Sequence, residues 1–328
     1  MDSEKAFITG ACGFMGSHLV DFLTEQGHEV SGIYFGPVNL IDEIKNKNNL
    51  IECDIRNGKE LEKILAKYKP DHIYHLAAQS YPTVSWRQPI HTMDVNANGT
   101  INLFETVKKL KLNCRILNAG SSAEYGKTLF NSKYLPATEE APLQPLHPYG
   151  ISKVAQEGIA FQYFENFQMN NVTLRIFNTT GPRKIDDVCS DFTKQIALVN
   201  LGQQKFIRVG NLNTKRAITD VRDVIAGFYK AMECAKAGEV YNISGSKVYQ
   251  IKDILDIARS FCKNKDIEIV NDKNLMRPTD EPAIFGDSTK FWKATGWRPK
   301  IPLKTTIEDM VKFWTEKLSK PKASTQPL

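Results

Sequence analysis

Near its start the chain carries a turn that leaves little choice of fold. Residues 8–19, ITGACGFMGSHL, set Gly10, Gly13 and Gly16 between the apolar run KAFIT and a stretch with helical spacing. Glycine lets the backbone turn tightly and come close to a phosphate group. A helix that starts there aims its unpaired N–H groups, and the positive end of its dipole, at the anion. Strand, glycine turn and helix in this order predict a βαβ unit that cradles the pyrophosphate of a dinucleotide, with Phe14 and Met15 beside the glycines. The alternative is a glycine turn with a purely structural role.

The sequence that follows has the alternation such a unit requires. Runs rich in β-branched residues lie at 5–10, 29–34, 50–55, 72–77, 114–120 and 171–177, with helical patterns at 14–26, 58–67, 92–110 and 148–168 between them. Strands separated by helices make a parallel sheet covered on both faces. The predicted fold class is therefore α/β, a Rossmann-type doubly wound parallel sheet with a smaller α/β C-terminal domain. Residues 1–177 form the dinucleotide-binding domain, with a returning segment near 217–243, and residues 178–318 mainly form the second domain. The polar, proline-containing end, SKPKASTQPL, predicts a flexible tail at 319–328.

Composition excludes more than it selects. No apolar run in the 328 residues approaches the roughly 20 of a membrane span. Six scattered cysteines, with no CxxC pair and no histidine at ligand spacing, point to reduced thiols and no metal site. The net charge of +6 comes from basic residues interleaved with acids, as in KELEKILAKYKPD, and reads as solvated helix faces, not a nucleic-acid surface. The start, MDSEKAFITG, reaches the first strand too soon for a signal peptide, which suggests a cytoplasmic protein.

Two stretches carry candidate chemistry. In HPYGISK, Tyr149 and Lys153 are four apart, so on a helix they share a face. A phenol has an ordinary pKa of about 10, and a nearby ammonium is expected to lower it towards the range of a working acid or base. Upstream, GSSAEYGK ends a predicted strand with Ser121 and Ser122, either of which could orient a reacting oxygen, the other serving as a turn contact.

Taken together, GxxGxxG, ECDIRN, HLAAQ, DVNANGT, the serine pair before YG, and YGISK resemble the extended short-chain dehydrogenase/reductases, the NAD-dependent epimerase/dehydratase family that acts on nucleotide sugars. The resemblance runs from about residue 5 to about 318. The later stretches RIFNTTGPRK, VGNLNTKRAITDVRDV and MRPTDEPAIFGDSTKFWKATGWRP are most similar to GDP-mannose 4,6-dehydratases and GDP-6-deoxy-mannose reductases.

On that resemblance Asp54 and Ile55 contact the adenine, a strand-end cap being the lesser alternative for Asp54. Leu76, Ala77 and Ala78 lie along the cofactor, or simply pack closely. Ser121, Tyr149 and Lys153 form the catalytic group. Asn178, Lys194, Arg216 and Arg277 reach the diphosphate or nucleotide, the charged three having surface ion pairs as their alternative. GIYFGPVN puts Phe35 and Gly36 where NADP-using relatives have arginines, which implies NAD, with NADP less favoured. Counted back from Gly126, Ala123 stands where the dehydratases place the glutamate that eliminates water. Glu124, one place on, could replace it only with a backbone shift.

The implied protein is a GDP-sugar oxidoreductase acting at C4, as dehydrogenase or 4-keto reductase. A 4-epimerase and a 4,6-dehydratase are the rivals, and a non-catalytic NAD-binding regulator is the rival of another class. The family also implies a homodimer through the helices near 92–110 and 148–168.

Overall fold

The computed structural model describes residues 3–36, 40–47, 49–275 and 281–319. β1 (Lys5–Thr9) leads through the glycine turn into α1 (Phe14–Glu25), followed by β2 (Glu29–Tyr34), β3 (Leu50–Glu52), α2 (Gly58–Tyr68) and β4 (His72–His75). Two short helices, α3 (Pro82–Arg87) and α4 (Pro89–Met93), and a π-helical turn at Asp94–Asn98 precede α5 (Gly99–Lys109), β5 (Arg115–Ser121), α6 (Pro148–Phe167) and β6 (Asn171–Ile176). Then come β7 (Thr179–Thr180), α7 (Val188–Asn200), β8 (Phe206–Val209), β9 (Lys215–Ala217), β10 (Thr219–Asp220), α8 (Val221–Cys234) and β11 (Val240–Ile243). The chain ends with β12 (Val248–Gln250), α9 (Ile251–Ser260), β13 (Glu268–Asn271), β14 (Ala283–Ile284), α10 (Thr289–Thr295) and α11 (Leu303–Ser319).

The main sheet has seven parallel strands in the order β3-β2-β1-β4-β5-β6-β11. This is a doubly wound Rossmann-type sheet, as the strand and helix spacing predicts. The order reverses between β1 and β4, and such sheets bind ligands at the carboxyl ends of the strands beside that reversal.

Alternation along each strand decides which face holds what. In β6, Val172, Leu174 and Ile176 join the apolar cluster under α1 and α8. Its other residues, Asn171, Thr173 and Arg175, are also buried, on the α6 face, where they need polar partners. A second cluster, with Phe7, Ile73, Phe104 and Ile116, fills the space under α2, α5 and α6. A third, separate core gathers α7, β8, α9 and α11 around Ile196, Ile207, Ile254 and Ile307.

Three details depart from the sequence expectations or lie beyond them. The helix expected at 92–110 is present without interruption from Pro89 to Lys109, but α4 and α5 are joined through the π-helical turn at Asp94–Asn98, which the spacing does not reveal. The π-turn sets Asn96, fully buried, where its side chain accepts from Gln79 N (2.8 Å) and donates to Gln79 O (3.0 Å) and Ser152 Oγ (2.8 Å). Residues 289–297 also return to the main sheet, which the pattern does not reveal. Phe291 and Trp297 join the α1/α8 cluster, and Trp297 Nε1 donates to Asp223 O at 2.8 Å. Of the expected tail, Ser319 ends α11 and residues 320–328 lie outside the described residues.

Candidate active site

A cleft of about 1660 Å³ runs from the glycine turn, past the carboxyl ends of β4, β5 and β6, to α7, β8 and β9. Its first end is made of backbone. Gly10 has φ +72°, and a Cβ there would stand 2.9 Å from Ala77 N; a Cβ on Gly16 would overlap the Gly10 carbonyl oxygen. The turn is wound by Gly13 N donating to Gly10 O (3.0 Å) and Ser17 N to Gly13 O (2.9 Å). Gly13 caps α1 without a side-chain bond, and the first turn holds no acidic residue. The N–H groups of Phe14, Met15 and Gly16 therefore stand at the open end of a 12-residue helix with no internal acceptor. That cradle fits a pyrophosphate.

Leu76, Ala77 and Ala78 line the next stretch, with Asp54 and Ile55 at its far side. Asp54 is also a local cap: Oδ1 accepts from Arg56 N at 2.9 Å, and the Arg56 guanidinium pairs with the carboxylate through Nε (2.9 Å) and NH2 (2.5 Å). Burial raises the Asp54 carboxyl, but the Arg56 bonds outweigh it and leave the group below its ordinary value.

Ser121 ends β5 and Tyr149 stands in the first turn of α6, with Pro148 at the first helical position and His147 as cap, its Nδ1 accepting from Gly150 N at 3.0 Å. Ser121 and Tyr149 both line the cleft, with the serine near enough to act on the phenol. Burial pushes the phenol up to about 12, only partly offset by Ser121. This corrects the expectation that Lys153 lowers it. The Lys153 ammonium lies 5.9 Å from the Tyr149 ring centroid and donates instead to Ala119 O and Gln156 Oε1, both at 2.8 Å. Its own pKa is pushed down by burial to about 8. Ser122 lines the cleft beside them.

Glu124 does not face the cleft, contrary to its expected place among the catalytic candidates. It is fully buried behind β5, where Oε1 accepts from Ser121 N at 2.6 Å and Oε2 lies 3.6 Å from Arg175 Nε. The reason is the 3₁₀ turn Ser122–Glu124, whose capping box draws the side chain back onto the strand end.

At the other end Asn178, Lys194 and Arg216 line the cleft together, although they come from separate stretches. Asn178 Nδ2 is buried without a protein partner, Lys194 Nζ sits 5.3 Å over the Trp314 ring, and Arg216 NH1 donates to Lys215 O and Glu281 O at 2.9 Å. Arg277 lies outside the described residues.

Sequence reasoning missed the polar residues that hold this site. Gln156 bridges Lys153 and Asn118 Oδ1 (2.7 Å), and Asn118 Nδ2 donates to Thr173 Oγ1 at 3.1 Å. Their signal was present: polar residues at positions where a strand or helix with both faces covered should be apolar. Among the described residues no group of three or more His, Cys, Asp or Glu could hold a metal, and no helix is long and apolar enough to cross a membrane.

The model of the GDP-mannose 4,6 dehydratase family matches residues 7–310. The chain belongs to this family. It is 29% identical over 339 residues to GDP-mannose 4,6-dehydratase sdnI of Sordaria araneosa, covering 95% of this chain and 61% of that protein. It is 27% identical over 318 residues to GDP-6-deoxy-D-mannose reductase of Pseudomonas aeruginosa, covering 96% of this chain and 99% of the reductase. Among solved structures, RMD from Pseudomonas aeruginosa complexed with NADPH superposes with a TM-score of 0.85 at 27% identity, over 96% of this chain and 100% of that one. This GDP-mannose 4,6-dehydratase family member is thus an NAD(P)-dependent enzyme of the nucleotide-sugar class, the recognition that the sequence motifs carry.

Proposed function

We propose that the enzyme transfers hydride at C4 of a GDP-linked hexose without loss of water, as a 4-keto reductase. The observation that carries the reading is the Ser122–Glu124 turn. Ala123 offers only a methyl where elimination needs an acid, and the Glu124 carboxyl is sealed behind β5. NAD(H), when bound, supplies the hydride. Tyr149 donates the proton to the oxygen at C4, which suits a phenol held protonated by burial, and Ser121 orients that oxygen. Lys153 holds the nicotinamide ribose, while Asn178, Lys194, Arg216 and Arg277 serve the GDP end. Similarity to the reductase over almost its whole length supports this direction.

Incubation with GDP-mannose and with a GDP-4-keto-6-deoxyhexose, followed by mass spectrometry, tests it. A gain of two hydrogens by the ketone is expected. Loss of water from GDP-mannose would instead mean a dehydratase, and a new isomer of unchanged mass an epimerase.

NAD is the proposed cofactor. Phe35 and Gly36 follow β2, and Arg56, a cation lining this end of the cleft, is held by Asp54. NADPH binding at least tenfold tighter than NADH would reverse this choice, and the NADPH-bound RMD makes that titration decisive. Free thiols at all six cysteines support a cytoplasmic setting. The homodimer reading rests on Trp86, Ile90, Ile101, Ile151 and Phe161, large apolar residues exposed by 38–78% on α3, α4, α5 and α6. Light scattering showing a monomer at micromolar concentration would sink it.

A further inference from the structure

We propose that Glu124 is a positioning residue, which sets the Ser121 hydroxyl by holding the strand end and turn that carry it. This rests on the reading in which Ser121 orients the reacting oxygen. The turn is closed from both sides: Glu124 Oε1 accepts the Ser121 N–H at 2.6 Å, and Ser121 Oγ accepts the Ala123 N–H at 3.2 Å. The carboxyl lies flat on the strand, since a Cβ on Gly120 would stand 2.7 Å from Oε1. The Ala123 carbonyl in turn abuts Gly150, where a Cβ would be 2.7 Å from that oxygen. Gly150 follows Tyr149, so one turn spaces the two groups that meet over the substrate.

The groups facing Glu124 explain how it is kept there. Arg175 of β6 lies 3.6 Å from Oε2, but its Nε and NH2 are committed to Glu157 of α6 at 2.8 and 2.7 Å. NH1 of the same guanidinium donates to Tyr125 Oη and Glu139 O, both at 2.9 Å. Lys153, also of α6, is a second cation acting on Glu124. Two carboxyls thus share one well-occupied guanidinium in a sealed space. Burial first, and then Glu157, hold the Glu124 carboxyl well above its ordinary range. Accepting the Ser121 N–H needs only a carbonyl-type oxygen at that place, which an amide of the same shape also supplies.

The test uses the full chain with NADH and a GDP-4-keto-6-deoxyhexose. E124Q should keep kcat within about threefold of wild type, while E124A should lose about 100-fold in kcat, the scale of a small misplacement, with KM for the sugar nearly unchanged. Equal losses in E124Q and E124A would show that the carboxyl carries a proton, and full activity in E124A would show that the turn does not need it. Either result overturns the proposal. If E124A fails to fold, E124D gives the same decision: a slow enzyme supports positioning, and a wild-type rate overturns it. Amide hydrogen exchange at Ser121 and Ala123, faster in E124A but not in E124Q, decides the claim without turnover. Full turnover by Y149F would sink the catalytic reading but leave that exchange result standing.

Discussion

The two ends of the cleft are built by different means. At the end proposed for the cofactor the close walls are backbone: the Gly10–Gly16 turn, the open end of α1, and the Leu76–Ala78 segment pressed against Gly10. At the end proposed for the sugar nucleotide they include the side chains of Asn178, Lys194 and Arg216, from just after β6, from α7 and from β9. A backbone surface is fixed by the fold and tolerates almost no added atoms. A side-chain surface can be changed one residue at a time.

The sharpest way to break the contrast is Gly16→Ala. One methyl improves helix propensity, yet here it meets the Gly10 carbonyl oxygen, which cannot move without opening the turn. Overpacking of this kind costs about 2 to 3 kcal/mol. NADH affinity should fall by more than tenfold along with the thermal midpoint. An alanine enzyme with unchanged NADH affinity by fluorescence titration would show that the turn is not a rigid cradle.

At the other end a single loss should be milder. Lys194→Ala removes one cation from a set, so KM for the GDP-sugar should rise about tenfold, equivalent to about 1.4 kcal/mol, with kcat and NADH affinity unchanged. Steady-state kinetics at fixed ionic strength provide the check. A fall in kcat at constant KM would mean that Lys194 acts in the reaction and not in binding, and the contrast between the ends would weaken.

What was legible in the sequence follows the same division. The glycine turn and the parallel strands were readable because backbone needs are written in residue type: Gly where φ is positive, β-branched runs where both sheet faces are covered. Tyr149 and Lys153 were readable from their spacing. The orientation of Glu124 was overlooked, although Ser121 and Glu124 have the S-x-x-E spacing of the local capping box that turns the carboxyl back onto the end of β5. The raised pKa of Tyr149 was not legible, because its first cause is burial, which appears only when the chain is folded. The π-helical turn at Asp94–Asn98 was not legible either. The Asn96 side chain there bonds the backbone of Gln79, 17 residues away, a contact that local spacing does not show.

The smallest expected effect concerns a buried polar column beneath the cofactor end. His75 is fully buried; its Nδ1 meets Thr9 Oγ1 and its Nε2 meets Thr100 Oγ1, both at 2.8 Å. The Thr100 hydroxyl donates to Asn96 O at 2.6 Å, so towards His75 it can only accept. Nε2 must then carry the ring proton, and Nδ1 accepts from Thr9, whose oxygen also takes the N–H groups of Leu76 and Ala77 at 3.1 Å. Burial pushes the ring pKa down to about 3. In the unfolded chain it returns to about 6.5, so between these values the unfolded state binds more protons and stability falls as pH falls. From pH 7.5 to 6 this residue should cost about 0.8 kcal/mol. Wild type should lose that much more than H75Q over the interval, measured by urea unfolding at both pH values. Equal losses in the two proteins would mean that His75 does not titrate across folding, and that the column under Ala77 is held by something other than a neutral imidazole.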